Sequence, residues 1–250
     1  MNGNSVRKKI KSIPLISSLV RKIRTREKRS RMLRFYRQFI HPGDLCFDIG
    51  ANVGDWSEIF LSIGAKVIAV EPQSNCVDSL RQRFDKNSAC TILPKAVGEK
   101  EEVKVLKVAG NLINSTFSDA FIENYKHYEY ARWPSVERVQ VTTLDNLITQ
   151  FGLPVFCKID AEGYELEIFK GLSQPIRFIQ FEYVPPFRSQ AIQCIDLLAH
   201  LGPARFNYYP YEEMKLELPQ WATVDEMKTI LHSLPEDLLV CDILVEFAAV

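Results

Sequence analysis

Long apolar runs are missing from this chain of 250 residues. A membrane-spanning helix needs roughly 18 to 20 consecutive apolar positions, and no stretch supplies them. The early apolar segment from Ile10 to Ile23 is interrupted by Lys11, Pro14 and Arg21 and lacks a small-residue cleavage site, so a secretory signal is not expected. Cysteine pairing signals are missing as well. The six cysteines (Cys46, Cys76, Cys90, Cys157, Cys194, Cys241) form no C-x-x-C pair and no zinc-like spacing, which suits a reducing, cytoplasmic setting. Cys46, Cys157 and Cys241 lie inside apolar runs, where a thiol behaves as a small hydrophobe. Net charge is also absent, with 31 basic and 31 acidic residues, but the balance is uneven along the chain. Residues 1–40 hold 13 Lys/Arg against the single acid Glu27, and the remainder holds 18 against 30. An acidic body argues against a nucleic-acid-coating surface. Neither an internal repeat nor a low-complexity linker is found. The expected organisation is a basic N-terminal helical arm (1–40) followed by a single domain (41–250).

What is present is alternation. The runs Leu45–Ile49, Lys66–Glu71 and Cys90–Pro94 read as strands. Between the first two, Trp56, Ile59, Phe60 and Ile63 mark one face of a helix closed by Gly64. Ser74 is expected to cap the next helix, whose Val77, Leu80 and Phe84 face inward. Val103–Val108 and Val136–Thr142 read as strands flanking an aromatic-rich insert around 111–138. The alternation resumes with strand Val155–Asp160 and a helix bearing Tyr164, Ile168, Phe169 and Leu172. Strand Arg177–Tyr183 precedes a helix stopped by Gly202-Pro203. A Thr223/Glu226 capping box and a closing strand, Leu238–Phe247, complete the chain. Strands joined by helices imply an α/β, doubly wound, right-handed sheet.

In such a sheet the first strand-to-helix turn holds the ligand. Here it reads Asp48-Ile49-Gly50-Ala51-Asn52-Val53-Gly54. Gly50 and Gly54 permit tight turning, and Asn52 is a residue type that tolerates positive φ. The spacing is not the G-x-G-x-x-G that cradles a pyrophosphate, and Asp48 suits a cationic ligand better than a phosphate. Glu71 stands 21 residues after Gly50 and precedes Pro72. A carboxylate there accepts hydrogen bonds from ribose hydroxyls, whether of NAD or of S-adenosylmethionine. A second acidic group, Asp160, Glu162 and Glu165, follows the buried Lys158. Acids at this place could contact a cationic ligand, or take the proton of a reacting hydroxyl directly or through a metal-bound oxygen. Glu165 equally suits a helix N-terminus, and Glu182 closes the adjacent strand.

These segments together resemble the FkbM-family methyltransferases. The matching pieces are Phe47–Gly54, Val70-Glu71-Pro72, Pro94–Gly98, Val141–Leu147 and Lys158–Glu167 with Lys170-Gly171, covering about residues 44–185. The resemblance implies a class I, Rossmann-like methyltransferase. Its seven-stranded sheet would be mostly parallel, with helices on both faces and the last strand antiparallel. It implies S-adenosylmethionine as cofactor and O-methylation of sugars, glycans or other small molecules. By the same resemblance Asp48, Gly50, Asn52 and Gly54, with Ala51 between them, line the methionine side. Glu71 and Pro72 lie at the ribose and Lys95-Ala96 at the adenine. The resemblance fixes no catalytic base as firmly; from their place at the strand end Asp160 and Glu162 are the catalytic candidates, with Asp160 also expected to contact the cofactor. A divalent metal is compatible with the chemistry but not indicated. Two alternatives stay open: an NAD-dependent oxidoreductase, and a non-catalytic cofactor-binding scaffold.

Three further features remain. Phe117, Phe121, Tyr125, Tyr128, Tyr130 and Trp133 in the insert would suit stacking on sugar rings, or equally a satellite core. Tyr208, Tyr209, Tyr211 and Trp221 read as core packing. The apolar and basic residues from Val6 to Arg37 would suit peripheral contact with an anionic membrane, or a helix packed on the domain. Nucleic acid is not an expected partner, and the sequence does not address the oligomeric state.

Overall fold

The computed structural model describes residues 26–110, 115–128, 131–210, 213–235 and 240–248. Its main sheet has the order β3 (Cys90–Leu93), β2 (Lys66–Val70), β1 (Leu45–Ile49), β7 (Phe156–Ile159), β8 (Phe178–Tyr183), β10 (Cys241–Phe247), β9 (Ala204–Pro210). Strands β3 to β8 pair in parallel, and β10 is antiparallel to both its neighbours. This is the expected seven-stranded doubly wound sheet with an antiparallel last strand. The order reverses at β1, so the carboxyl ends of β1 and β7 splay apart into a crevice where a ligand fits.

Short capped helices make the crossovers. Helix α2 (Asp55–Ile63) is bounded by Gly54 and Gly64, both left-handed. Helix α3 (Ser74–Phe84) starts differently from expectation: Gln73 is its N-cap and supplies no side-chain cap. The Ser74 N–H and hydroxyl instead both donate to Glu137, each at 3.0 Å, because a second sheet lies alongside. That sheet runs β4 (Ala96–Val97), β6 (Ser135–Thr142), β5 (Glu102–Val108). It buries Leu106, Val108, Val139 and Val141 on one face, and the short helix α4 (Asp119–Tyr125) hangs from the connection between its two long strands. Helix α5 (Leu144–Phe151), capped by Thr143, and helix α6 (Glu165–Lys170) follow. Helices α7 (Arg188–Leu201) and α8 (Val224–Ser233) cover the same face of the main sheet, and α8 carries the expected Thr223/Glu226 capping box.

Strand alternation gives the main sheet two buried faces. Phe47, Ile49, Cys157, Ile159, Ile179 and Phe181 face α5 to α8. Cys46, Val67, Phe156 and Leu244 face α2, α3 and helix α1, which spans residues 26–36. Met32, Phe35, Tyr36, Phe39 and Ile40 are all buried there, packed on Phe60, Phe156 and Tyr209. Each such ring contributes about 2–3 kcal/mol of transfer free energy. The Tyr36 hydroxyl donates to Gln180 Oε1 at 2.7 Å and lies 3.1 Å from the Tyr209 hydroxyl. The later part of residues 1–40 is thus docked on the sheet. The segment Ile10 to Ile23, like Tyr130 and Tyr211, lies outside the described residues. All six cysteines are free, five of them buried.

Candidate active site

A cleft of about 290 Å³ opens at the carboxyl ends of β1, β2 and β7. Its floor is the turn after β1. Gly50 (φ 73°), Asn52 (φ 50°) and Gly54 (φ 89°) all take positive φ. A Cβ on Gly50 would come within 1.9 Å of the Asp160 carbonyl oxygen, so this glycine lets two distant loops touch. A Cβ on Gly54 would instead strike Phe84 and Leu80, at 2.5 and 2.7 Å, so Gly54 allows α3 to pack against the turn. The turn's amides are occupied. The N–H groups of Gly50 and Ala51 donate to the Val70 carbonyl, that of Asn52 to Glu71 and that of Gly54 to the Ala51 carbonyl. A pyrophosphate needs such amides free.

Asp48 lies beneath this turn, fully buried. Its Oδ2 accepts the Ser57 hydroxyl at 2.6 Å, which brings an acid to the first turns of α2. Burial pushes its carboxyl above the ordinary range, while neighbouring Lys158 and Ser57 act in the opposite direction. Glu71 directly follows β2, with both oxygens engaged by backbone: Oε1 accepts from Gln73 N–H and Oε2 from Asn52 N–H, each at 2.8 Å. Each carboxylate oxygen keeps a second acceptor site, open to hydroxyl donors of a ligand. Burial pushes Glu71 up to about 7, against the pull of those two amides.

The opposite wall is the loop after β7. Asp160 Oδ2 accepts from Lys158 Nζ at 3.0 Å, and about one third of the Asp160 side chain is exposed (33%). Glu162 takes positive φ (51°), an uncommon state for a non-glycine that the surroundings must enforce. They do so from two sides. The Thr116 hydroxyl donates to the Glu162 carbonyl at 2.8 Å, and Glu165 Oε1 accepts from Ala161 N–H at 2.9 Å and from Gly163 N–H at 3.4 Å. Glu165 is therefore a loop clamp, buried and raised to about 7 by desolvation. Across the top, Ser115 donates to Gln73 Oε1 at 2.6 Å and the Phe117 ring lies 5.1 Å from that of Tyr164, whose hydroxyl accepts from Lys104. Residues 115–117 form a strap from Gln73, beside Glu71, to the Asp160 loop.

Of the residues singled out from sequence, Gly50, Ala51, Asn52, Glu71, Pro72 and Lys95 line the cleft, as do Ala96, Asp160 and Glu162. Asp48 and Gly54 shape it from below and Glu182 lies outside it. Trp56, Gln73, Ser115 and Phe117 also line it. Gln73 directly follows Glu71-Pro72 and was within reach of motif reading, whereas Ser115 carries no sequence signal. Among the described insert aromatics Phe117 alone lines the cleft. Phe121 is buried, stacked 5.9 Å from Phe187 beside Tyr125, a satellite core. Among the described residues no group of three His, Cys, Asp or Glu is placed to hold a metal ion, and no helix is long and apolar enough to cross a membrane.

Comparison with known proteins adds a family. The model described as "Methyltransferase FkbM domain" matches residues 48–218. No curated protein sequence matches the chain. Among solved structures it is similar to the precorrin-6Y C5,15-methyltransferase of Geobacter metallireducens, at 10% identity and a TM-score of 0.45 over 89% of this chain and 88% of that one. It is also similar to a SAM-dependent O-methyltransferase of Thermotoga maritima, at 11% identity and a TM-score of 0.42 over 88% and 66% of the two chains. A Streptococcus mutans structure in complex with SAH gives 10% identity and a TM-score of 0.41 over 86% and 94%.

Proposed function

The chain belongs to the FkbM family of methyltransferases, and from that membership we propose that it transfers the methyl of S-adenosylmethionine to a hydroxyl oxygen of a neutral sugar, glycan or other small molecule. The observation that carries this reading is the placing of Asp160 and Glu162 on the cleft wall opposite the Gly50–Gly54 turn. When bound, S-adenosylmethionine supplies an electrophilic methyl on a cationic sulfur. The residues fit that molecule: Glu71 would hold the ribose and Ala96 would border the adenine. Among the described lining residues, the carboxylates Asp55, Glu71, Asp160 and Glu162 outnumber the one cation, Lys95, which favours a cationic ligand over a phosphate-bearing one. The same excess of acid disfavours nucleic acid and phosphorylated acceptors. Glu162, held by the strap, is the group we assign to accept the acceptor hydroxyl's proton, and Phe117 and Tyr164 would exclude water from the reacting atoms.

An NAD-dependent oxidoreductase is disfavoured by the occupied amides of the turn, since four of them already donate within the protein. A non-catalytic scaffold would bind cofactor and transfer nothing. Calorimetry with S-adenosylmethionine, S-adenosylhomocysteine and NAD separates the cofactors, and binding of NAD alone would reverse the assignment. A panel of neutral and phosphorylated glycan acceptors with labelled methyl donor, with and without chelator, then tests acceptor class and metal need. Transfer confined to phosphorylated acceptors would sink the neutral-acceptor proposal. Loss of transfer in Glu162→Gln with cofactor binding retained is the expected sign of a catalytic carboxylate.

A further inference from the structure

Lys158 carries a charge where the fold has almost no water. Its side chain is 2% exposed, in register between Asp48 on β1 and Gln180 on β8. Its ammonium lies 3.0 Å from Asp160 Oδ2 and 5.5 Å from the centre of the Trp56 ring. Burial by itself would discharge it. The carboxylates of Asp160, Asp48 and Asp242 outweigh that and hold it above the ordinary lysine range. Two of these partners face away from the cleft: Asp48 is bound to Ser57 and Asp242 lies with Tyr209 and Gln180. Of these three carboxylates only Asp160 lines the cleft.

Burying charged groups costs desolvation, and replacing a whole buried pair by apolar side chains is often neutral or stabilising, so the pair is weak evidence for a purely structural role. What an apolar side chain lacks is a hold on Asp160. We propose that Lys158 is a positioning residue that fixes one oxygen of Asp160, so that its carboxylate is presented to the cationic sulfur end of the cofactor. This rests on the cofactor assigned above. Lys158 touches no ligand and acts through Asp160, whose second oxygen is left for the cleft.

The cofactor and its product differ at one atom, a cationic against a neutral sulfur, so the ratio of their affinities reports on this carboxylate. Calorimetry on the full chain measures it. Lys158→Met and Asp160→Asn are each expected to reduce the preference for S-adenosylmethionine over S-adenosylhomocysteine by about tenfold, with product affinity retained. The double variant should lose no more than either single one, because both act through one group. Equal weakening of both ligands in Lys158→Met would mean a structural role, and a gain in S-adenosylmethionine affinity would mean that the lysine merely opposes the cation; either overturns the proposal. Should Lys158→Met fail to fold, Lys158→Gln takes its place, since its amide still donates to Asp160. It should then keep the ratio within about threefold of the wild type, and a full tenfold fall overturns positioning. An unchanged ratio in Asp160→Asn overturns it irrespective of folding at Lys158. Failure of the wild-type chain to bind either ligand removes the cofactor assignment itself, a result distinct from all of these.

Discussion

Glu71 combines a buried carboxylate with two backbone donors, and in the ribose role proposed for it its titration would set how tightly a nucleoside is held. Its value of about 7 means that at neutral pH the cofactor-free site is partly protonated. Ribose hydroxyls donate to the ionised form, so binding must expel a proton below that value. Affinity for S-adenosylhomocysteine is therefore expected to fall as pH drops below about 7, by up to about tenfold per unit. Calorimetry across that range checks it, and Glu71→Gln should bind weakly with the pH dependence gone. A wild-type affinity that is flat between pH 8 and 6 would contradict the ribose role. Gly50 makes a different demand. Its φ of 73° and the Asp160 carbonyl 1.9 Å from any Cβ leave Ala nowhere to go without separating the two loops. Gly50→Ala should cost at least about 2 kcal/mol in urea unfolding and abolish cofactor binding. Retained binding would show that the loops have slack.

Elements meet at this site from both sheets, and the strap is where the smaller sheet acts on the larger. Thr116 is 1% exposed, bridges to Lys107 on β5, donates to the Glu162 carbonyl and accepts from Ser118 N–H. Thr116→Val keeps the shape and removes both side-chain bonds, so a loss of about 1–2 kcal/mol is expected. Glu162 should relax from its positive φ, and hydrogen exchange should rise at residues 160–165 while α7 is unaffected. Unchanged exchange would mean that Glu165 alone holds the loop. Local signals in the sequence reach some of this. Strands β1, β2, β7, β8 and β10 are legible because apolar runs end at turn or charged residues. The Thr223/Glu226 cap is legible because both halves lie within three residues. Strand β9 is not, since Asn207 sits fully buried in it. Its side chain bonds the Leu218 backbone, eleven residues on, and accepts from the Tyr208 N–H. Strand β4 has two residues, too few for any periodicity. The Thr143 cap of α5 was hidden within a segment read only as a motif, although that motif is structural: Asp145 accepts from Ser173 N–H and donates its own N–H to Gly171. Among the site residues, those in strand-end turns were visible, and those on the strap were not, because only tertiary pairing brings the strap there.

At the scale of the whole molecule, Glu71, Glu165 and Asp242 share one consequence. Burial raises each to about 7, well above the unfolded value near 4 to 4.5, so between those limits the folded state keeps protons that the unfolded chain releases. Their combined contribution is fully present below about pH 4 and is lost as pH rises toward about 7. The urea midpoint of the cofactor-free protein should therefore decline over that window and level off above it, and a midpoint that climbs would refute the burial of these acids. The N-terminal region poses the larger question of where the domain begins. Charge divides the chain near residue 40, but packing divides it earlier: Met32, Phe35, Tyr36, Phe39 and Ile40 are each 6% exposed or less. Losing three buried rings alone costs roughly 3–5 kcal/mol apiece, which together reaches the 5–15 kcal/mol that holds a typical domain. Removal of Tyr36 would also strip the Gln180 oxygen of its donor. A chain starting at residue 41 is thus expected not to fold cooperatively, whereas one starting at residue 26 should melt within a few degrees of the full chain. Comparing the two by calorimetric melting decides where the domain starts, and equal damage in both would place it before residue 26. The result also governs any test of membrane contact. A lipid-flotation comparison is informative only with residues 1–25 removed, because a deletion to residue 40 would read out unfolding of the sheet's aromatic face in place of lost lipid affinity.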